Sequence, residues 1–190
     1  KLAGARKSKF YVDMTDSDVI EEIVGASGLE CDVQNTPQSN KQLVQYDSTD
    51  WDFIATRAEA NGMLVLTDDG AVKIFRPDSQ RPPATLVTYG ANLLDFEAEM
   101  DARLQFQNVS ANTWDYSGQQ IESSDSGIAN FEENGNISSE ELSNILGIEK
   151  KLINSGKMEA GQLRDWADAF ALRSKVAKSA GRFRIKGNAE

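Results

Sequence analysis

Apolar residues at helical spacing predict a first helix near the start of the chain. Thr15 is a suitable N-cap, because its hydroxyl can accept the free backbone N–H of Asp18, and an acidic residue at that position completes a capping-box pattern. Gly28 follows as a stop signal. The pattern therefore predicts a helix from Thr15 to about Ser27, with four aliphatic side chains on its buried face: Val19, Ile20, Ile23 and Val24.

The segment 45–62 predicts the end of a strand, a second helix and a helix stop. Thr49 can cap this helix, and Asp52 stands at the capping-box position. Gly62 ends it, because glycine adopts a left-handed turn without steric cost. The predicted buried face consists of four residues at helical spacing: Trp51, Ile54, Ala55 and Ala58.

Short stretches of alternating apolar and polar residues surround these helices and predict strands. Residues 68–70, Asp-Asp-Gly, predict a hairpin turn, because Asp and Gly tolerate positive φ. The proline-containing segment 77–83 predicts a connector, since proline cannot donate to a sheet. With the two helices, five predicted strands make an α+β unit over residues 10–81: 10–13, 29–34, 43–46, 63–67 and 71–76.

The second half of the chain has its clearest alternation at 93–100, where Leu94 and Phe96 alternate with acidic residues and predict a half-buried strand. The polar segment 117–135 predicts an exposed excursion. Ser138 and Glu141 form another capping-box pattern. The remaining predicted elements are strands 84–89, 104–116 and 182–186, and helices 138–146 and 160–180, the last one ended by Gly181.

Composition removes several classes of function. The 190 residues contain no histidine and one cysteine, which excludes His-dependent nucleophilic catalysis and an internal disulfide from this chain. The net charge of −10 argues against a nucleic-acid-binding surface, and no apolar run is long enough to cross a bilayer. The enzymatic options that remain are paired carboxylates, a Ser-Lys pair or a metal bound by oxygen ligands.

Residues 130–141 resemble a calcium-binding loop. Gly stands at the sixth place and Glu at the twelfth, as an EF-hand loop requires, but the first and third places hold Asn130 and Glu132 rather than Asp. The candidate ligands are Asn130, Glu132, Asn134 and Glu141. The alternative is an Asn-Gly turn that leads into the capped helix at Ser138.

Two rows of opposite charge lie on predicted strands. Glu97 and Glu99 follow the outward side of 93–100, whereas Arg182 and Arg184 follow that of 182–186. Such rows are most often solvated, but they are also candidates for a subunit interface. A third interpretation is that Arg182 and Arg184 bind phosphate.

Paired carboxylates could hydrolyse a glycan if held about 5–10 Å apart. The pairs in this chain are Asp16 with Asp18, Asp50 with Asp52 and Asp68 with Asp69. Each pair stands where a helix cap or a turn explains it.

The three tryptophans, Trp51, Trp114 and Trp166, are predicted to be core residues.

The segment 45–62 resembles a signature of the central hub proteins of contractile injection machines, which include phage late control (tail hub) proteins and VgrG of type VI secretion. The residues that carry the resemblance are Gln45, Tyr46, Asp50, Trp51, Asp52, Phe53, Arg57, Ala58, Glu59 and Gly62. The helix at 15–23 resembles the one that precedes this signature, 93–100 resembles a strand that opens the second hub barrel, and 182–188 resembles the entry to the next barrel segment. The polar segment 117–135 and the helix 138–146 depart from the pattern.

The resemblance implies an α+β fold: a small helix–strand module followed by part of an antiparallel β-barrel with a packed helix. It implies that residues 1–9 end a preceding barrel, 10–81 form the module, and 84–190 form a partial barrel with a helical insertion at about 117–180. The chain is then expected to be an internal fragment.

The resemblance also implies a structural, non-enzymatic role without a cofactor. A homotrimer would link the inner tube protein and baseplate components to a downstream spike, without nucleic acid or membrane insertion. Assembly is expected in the bacterial cytoplasm, followed by delivery or exposure outside the cell. The alternatives are a tail-associated cell-wall hydrolase and a carbohydrate- or peptide-binding module.

Overall fold

The computed structural model describes residues 2–83, 85–127, 131–133 and 135–187. The described part contains four helices and ten strands, so the predicted α+β class is confirmed. The helices are α1 (Asp16–Ala26), α2 (Asp50–Ala60), α3 (Ser139–Leu146) and α4 (Ala160–Val176). The strands are β1 (Arg6–Thr15), β2 (Glu30–Val33), β3 (Ser39–Thr49), β4 (Leu64–Asp68), β5 (Ala71–Phe75), β6 (Leu93–Met100), β7 (Asn108–Asp115), β8 (Gln120–Asp125), β9 (Glu149–Asn154) and β10 (Ser179–Ile185).

These strands form two ribbons and two three-stranded sheets. β1 pairs with β3 and β6 with β10, both antiparallel. The sheets have the orders β2-β5-β4 and β8-β7-β9, and each combines one parallel with one antiparallel pair. Within the described strands, no sheet closes into a barrel.

The local signals place the helix starts correctly. Thr15 and Ser138 form complete capping boxes with Asp18 and Glu141. Thr49 accepts the backbone N–H of Asp52, but the Asp52 carboxylate accepts the Thr49 hydroxyl, so the second half of that box is missing. Phe53 is buried in α2, whereas Trp51 and Ala55 of the predicted face are only partly buried.

Two apolar clusters form the core. In the first, α1 and α2 pack on β1, β4 and β5, and the buried members include Tyr11, Val19, Ile20, Val24, Phe53, Ile54 and Ile74. In the second, α4 packs on β7 and β9 through Val109, Ala111, Leu152, Leu163, Ala167 and Ala171. None of the described helices is long and apolar enough to span a bilayer.

Several elements of the second half differ from the prediction. Residues 85–89 form no strand apart from a single bridge at Tyr89, and Ala84 lies outside the described residues. Part of the predicted excursion 117–135 is β8, which lacks apolar alternation but obtains its backbone hydrogen bonds from β7. The sequence pattern also missed β9.

The helix predicted over 160–180 ends at Val176, and Gly181 lies within β10. Just beyond the helix end the Lys178 ammonium is buried, and its Nζ donates to the Ile137 carbonyl at 2.9 Å and to the Glu133 carboxylate at 3.1 Å. The chain then continues as β10, because its backbone groups pair with β6.

Candidate functional site

The segment 45–62, named here the signature segment, runs from the end of β3 through α2 to Gly62. It lies between the two apolar clusters, because α2 packs on α1 and β4 on one side and on α4 on the other. Its polar residues are therefore positioned to join the two halves of the chain.

Gln45 and Asp50 form a buried polar pair at the start of the signature segment. Gln45 Nε2 donates to Asp50 Oδ1 at 3.0 Å and to the Ser48 carbonyl at 3.1 Å, and the Tyr11 hydroxyl donates to Gln45 Oε1 at 3.3 Å. Lys7 Nζ donates to Asp50 Oδ2 at 2.5 Å. The pair thus fixes the β3–α2 corner against β1.

The Asp50 carboxylate should make stability depend on pH. Burial raises the pKa of Asp50, but the hydrogen bonds from Lys7 and Gln45 outweigh it, so its pKa lies below the ordinary value of 3.8. Because the pKa of Asp50 is lower in the folded state, its ionised carboxylate adds to the free energy of unfolding above pH 3.8. This contribution is lost as the pH falls through the folded-state pKa. Urea titrations between pH 5 and pH 2.5 should show stability falling on acidification, and falling less steeply in Asp50→Asn. An equally steep fall in that variant would contradict this role.

Arg57 and Asp16 form a bidentate ion pair between α2 and α1. Arg57 Nε lies 2.7 Å from Asp16 Oδ1, and Nη2 lies 2.8 Å from Oδ2. Asn61 Nδ2 donates to Oδ2 at 2.7 Å, and Asn40 Nδ2 donates to Oδ1 at 3.2 Å. Four donors therefore satisfy a buried carboxylate, which is the condition for a charge inside a protein.

Three contacts connect this network to α4. Gln162 Nε2 donates to Asn40 Oδ1 at 3.0 Å, and Arg173 forms an ion pair with Glu59. At Gly62, where φ is +67°, an added Cβ would stand 3.1 Å from Ala169 Cα. The end of α2 and the middle of α4 therefore approach closely enough to require glycine.

The other signature residues have local roles. Phe53 stacks on Tyr11 with ring centroids 5.9 Å apart. The Asp52 carboxylate accepts a hydrogen bond from the Thr49 hydroxyl. Trp51 is partly buried and packs against the edge of the first cluster. Tyr46 is 81% exposed and contributes to a surface rather than to the core.

Exposed apolar side chains cover one face of the β6–β10 ribbon. Phe96 stands opposite Phe183 in the register, and they are 64% and 58% exposed. Leu94 and Met100 continue the row on β6. The half-burial predicted for 93–100 is therefore wrong within this chain, because β10 pairs with its backbone while no described element covers either face.

The opposite face of the same ribbon carries the two predicted rows of charge. In the register Arg182 lies opposite Glu97, and Glu99 lies opposite Ala180. Arg184 lies opposite Asp95, with 3.9 Å between their charged atoms. The rows thus meet within one chain. A subunit interface at Glu97, Glu99, Arg182 and Arg184 stays a prediction.

The β1–β3 ribbon carries a second exposed apolar surface. Phe10 stands opposite Val44, and Val12 and Tyr46 lie on the same side. The other side of this ribbon, which includes Tyr11, packs on the first cluster.

Of the four calcium-loop candidates, Glu132 and Glu141 lie among the described residues, and each has a partner within the protein. The Glu141 carboxylate accepts the Ser138 N–H at 2.7 Å, and Glu132 Oε1 lies 3.5 Å from Gln80 Nε2. Asn130 and Asn134 lie outside the described residues. The described residues contain no group of three or more Cys, Asp or Glu side chains arranged to hold a metal.

The three acidic pairs have structural partners. Asp18 caps α1, Asp16 and Asp50 belong to the networks above, and Asp68 pairs with Lys73 at 2.6 Å. Asp69 adopts a φ of 42° in the hairpin turn.

Trp166 packs against the second cluster, but Trp114 is 39% exposed on the outer face of the β7 sheet, which corrects its assignment to the core.

Sequence reasoning found the signature residues but missed their partners. Asp16 pairs with Arg57 and accepts hydrogen bonds from Asn40 and Asn61. Gln162 and Arg173 provide the contacts with α4. No local spacing signals these contacts, because the hydrogen-bonded residues lie up to 122 positions apart in the sequence. Asp16 was assigned only a role at a helix start.

Comparison with known proteins gives one family and a group of similar folds. The family model described as the Alg8 N-terminal domain matches residues 1–190. No curated protein matches the chain.

Solved structures that share the fold include three tail proteins. The prophage MuSo2 43 kDa tail protein from Shewanella oneidensis is 14% identical, with a TM-score of 0.63 over 94% of this chain and 52% of that one. A tail protein from Neisseria meningitidis MC58 is 14% identical, with a TM-score of 0.52 over 92% and 49%. Prophage tail protein gp18 from Listeria monocytogenes EGD-e is 10% identical, with a TM-score of 0.50 over 86% and 49%. The chain thus has a tail-protein fold and spans about half the length of these proteins.

Proposed function

This chain belongs to the Alg8 N-terminal domain family, and from its tail-protein fold we propose that it is a structural component of a phage tail or related contractile injection machine. The fold likeness extends over almost the whole chain, with a TM-score of 0.63 to the Shewanella oneidensis protein. The proposed role is mechanical and involves neither catalysis nor a cofactor.

The β6–β10 ribbon is the observation that carries this proposal. It exposes Leu94, Phe96, Met100 and Phe183 on one face, while the outer edge of each strand lacks a partner strand among the described residues. Contiguous exposed apolar surface marks sites of protein–protein contact, and unpaired strand edges readily accept another strand. The ribbon therefore suits assembly into a larger structure.

The signature segment supports the finer proposal of a central hub. Its networks join α1, α2 and α4 through a buried ion pair, a partly buried hydrogen bond and an exposed ion pair. We infer that such a connection transmits force between surfaces. We assign the chain to a hub that forms a homotrimer, contacts the inner tube protein and baseplate components, and carries a spike. The proposed site of assembly is the bacterial cytoplasm, before delivery or exposure outside the cell.

The complete gene product should form a trimer in analytical ultracentrifugation. The double variant Phe96→Asp/Phe183→Asp should shift it towards monomer, because two charges would enter the apolar contact. The matched control is Ile121→Asp, which places a charge at a side chain that is 68% exposed on β8, away from this ribbon. A monodisperse monomer for the unmodified protein would refute the proposed trimer.

A further inference from the structure

An Asn-Gly dipeptide stands at the end of α2, where Asn61 is followed by Gly62. In such a dipeptide the glycine backbone nitrogen can attack the asparagine Cγ, because the glycine has no Cβ to obstruct the approach. The new C–N bond closes a succinimide ring, the Cγ–Nδ2 bond breaks, and the side-chain nitrogen leaves as ammonia with the proton of the backbone nitrogen. Water then opens the ring to aspartate or isoaspartate. The sequence alone therefore makes Asn61 chemically labile.

The folded structure keeps the two reacting groups of this dipeptide engaged elsewhere. Asn61 Nδ2 donates to Asp16 Oδ2 at 2.7 Å and to the Arg57 carbonyl at 2.9 Å. The Gly62 backbone nitrogen donates to the Glu59 carbonyl at 3.1 Å. The ring can close only after the side-chain amide has turned from Asp16 towards its own backbone, so these hydrogen bonds must break first. The contacts that join α2 to α1 thus block the reaction.

Either product of the reaction is incompatible with the site from which it forms. A carboxylate at position 61 would replace an amide donor beside Asp16 Oδ2, and two carboxylates that share a site oppose each other's ionisation. Isoaspartate lengthens the backbone by a methylene group just before Gly62, where an added Cβ would already stand 3.1 Å from Ala169 Cα. A deamidated chain therefore cannot rebuild the contacts of α2 with α1 and α4.

We propose that Asn61 is a site of spontaneous deamidation, that the reaction is confined to molecules in which α2 has separated from α1, and that it makes this separation irreversible. When opening and closing are faster than the chemistry, the rate equals the rate in the open chain multiplied by the open fraction. The loss of Asn61 therefore rises in proportion to that fraction. The assignment depends on the contacts around Asp16 and is independent of the proposed tail function.

The test is peptide mapping by mass spectrometry of the 190-residue chain after incubation at neutral pH, with tandem spectra that distinguish Asn61 from Asn134 of the other Asn-Gly dipeptide. Deamidation at Asn61 should be at least about tenfold faster in the urea-unfolded chain than in the folded protein, because folding keeps the open fraction small. Arg57→Ala should accelerate it in the folded protein by at least about tenfold, since the Asp16 charge is left uncompensated. Arg6→Ala removes only an exposed ion pair and should leave the rate unchanged.

Further variants keep the test informative and examine the product. Arg57→Lys keeps the positive charge but cannot make the bidentate contact, so it should give a smaller acceleration, and it replaces Arg57→Ala if that variant does not fold. Asn61→Asp reproduces one product. It should unfold at a lower urea concentration than Asn61→Ala, because repulsion from Asp16 adds to the loss of the amide donor.

Equal deamidation rates at Asn61 in the folded and the urea-unfolded chain would overturn the assignment, and so would equal rates in Arg57→Ala and Arg6→Ala. An unfolded chain that keeps Asn61 intact while Asn134 reacts would show that Asn61 is not a modification site. If Asn61→Asp is as stable as Asn61→Ala, the reaction does not make the separation of α2 from α1 irreversible.

Discussion

Replacing Arg57 with alanine should lower the free energy of unfolding by about 3–5 kcal/mol, the usual cost of removing one partner of a buried ion pair. The Asp16 carboxylate would stay buried with only the Asn61 and Asn40 amides as donors. Urea denaturation at pH 7, followed by circular dichroism, measures the change.

A surface ion pair provides the control for this prediction. Arg6 and Asp47 are 3.3 Å apart and both side chains are 66% exposed, so Arg6→Ala should cost about 1 kcal/mol or less. Asp16→Asn combined with Arg57→Ala should be less destabilising than the sum of the single changes, because the uncompensated charge is removed. Equal effects of Arg57→Ala and Arg6→Ala would show that the network at Asp16 is not important for stability.

Gly62→Ala should destabilise the protein by about 2–5 kcal/mol through two additive costs. A left-handed conformation costs an L-residue about 1–2 kcal/mol, and overpacking against another element typically adds about 1–3 kcal/mol. The relevant values are a φ of +67° and an approach of 3.1 Å between the new Cβ and Ala169 Cα.

Gly28→Ala separates these two costs. Gly28 has a φ of +76°, but nothing lies within 4 Å of a Cβ built on it, so only the conformational cost of about 1–2 kcal/mol should appear. If both alanine variants lose the same stability, the close approach of α2 and α4 is not a constraint on the fold.

Together these variants test whether the signature segment is a structural junction. Arg57 holds α2 to α1, and Gly62 allows α2 to approach α4. A large loss of stability from both changes is expected of a rigid connection. Small effects from both would leave the hub proposal without its mechanical basis.

Local chemistry in the sequence determined the start of each of the first three helices and the hairpin at 68–70. Thr15, Thr49 and Ser138 cap their helices because the bonds involved join groups three residues apart. Asp69 and Gly70 have positive φ in the turn for the same local reason. The α+β class followed from these signals and from the periodicity of the apolar residues.

Tertiary structure decided the rest, because the deciding partners lie far apart in the sequence. β8 is polar and β9 was not recognised, yet both are strands because β7 supplies their backbone hydrogen bonds. The alternation at 93–100 identified a strand but not its exposed faces, since burial depends on what packs against a strand. Likewise, the sequence singled out Arg57 and Gly62, but only the packing of α1, α2 and α4 gave them Asp16 and Ala169 as partners.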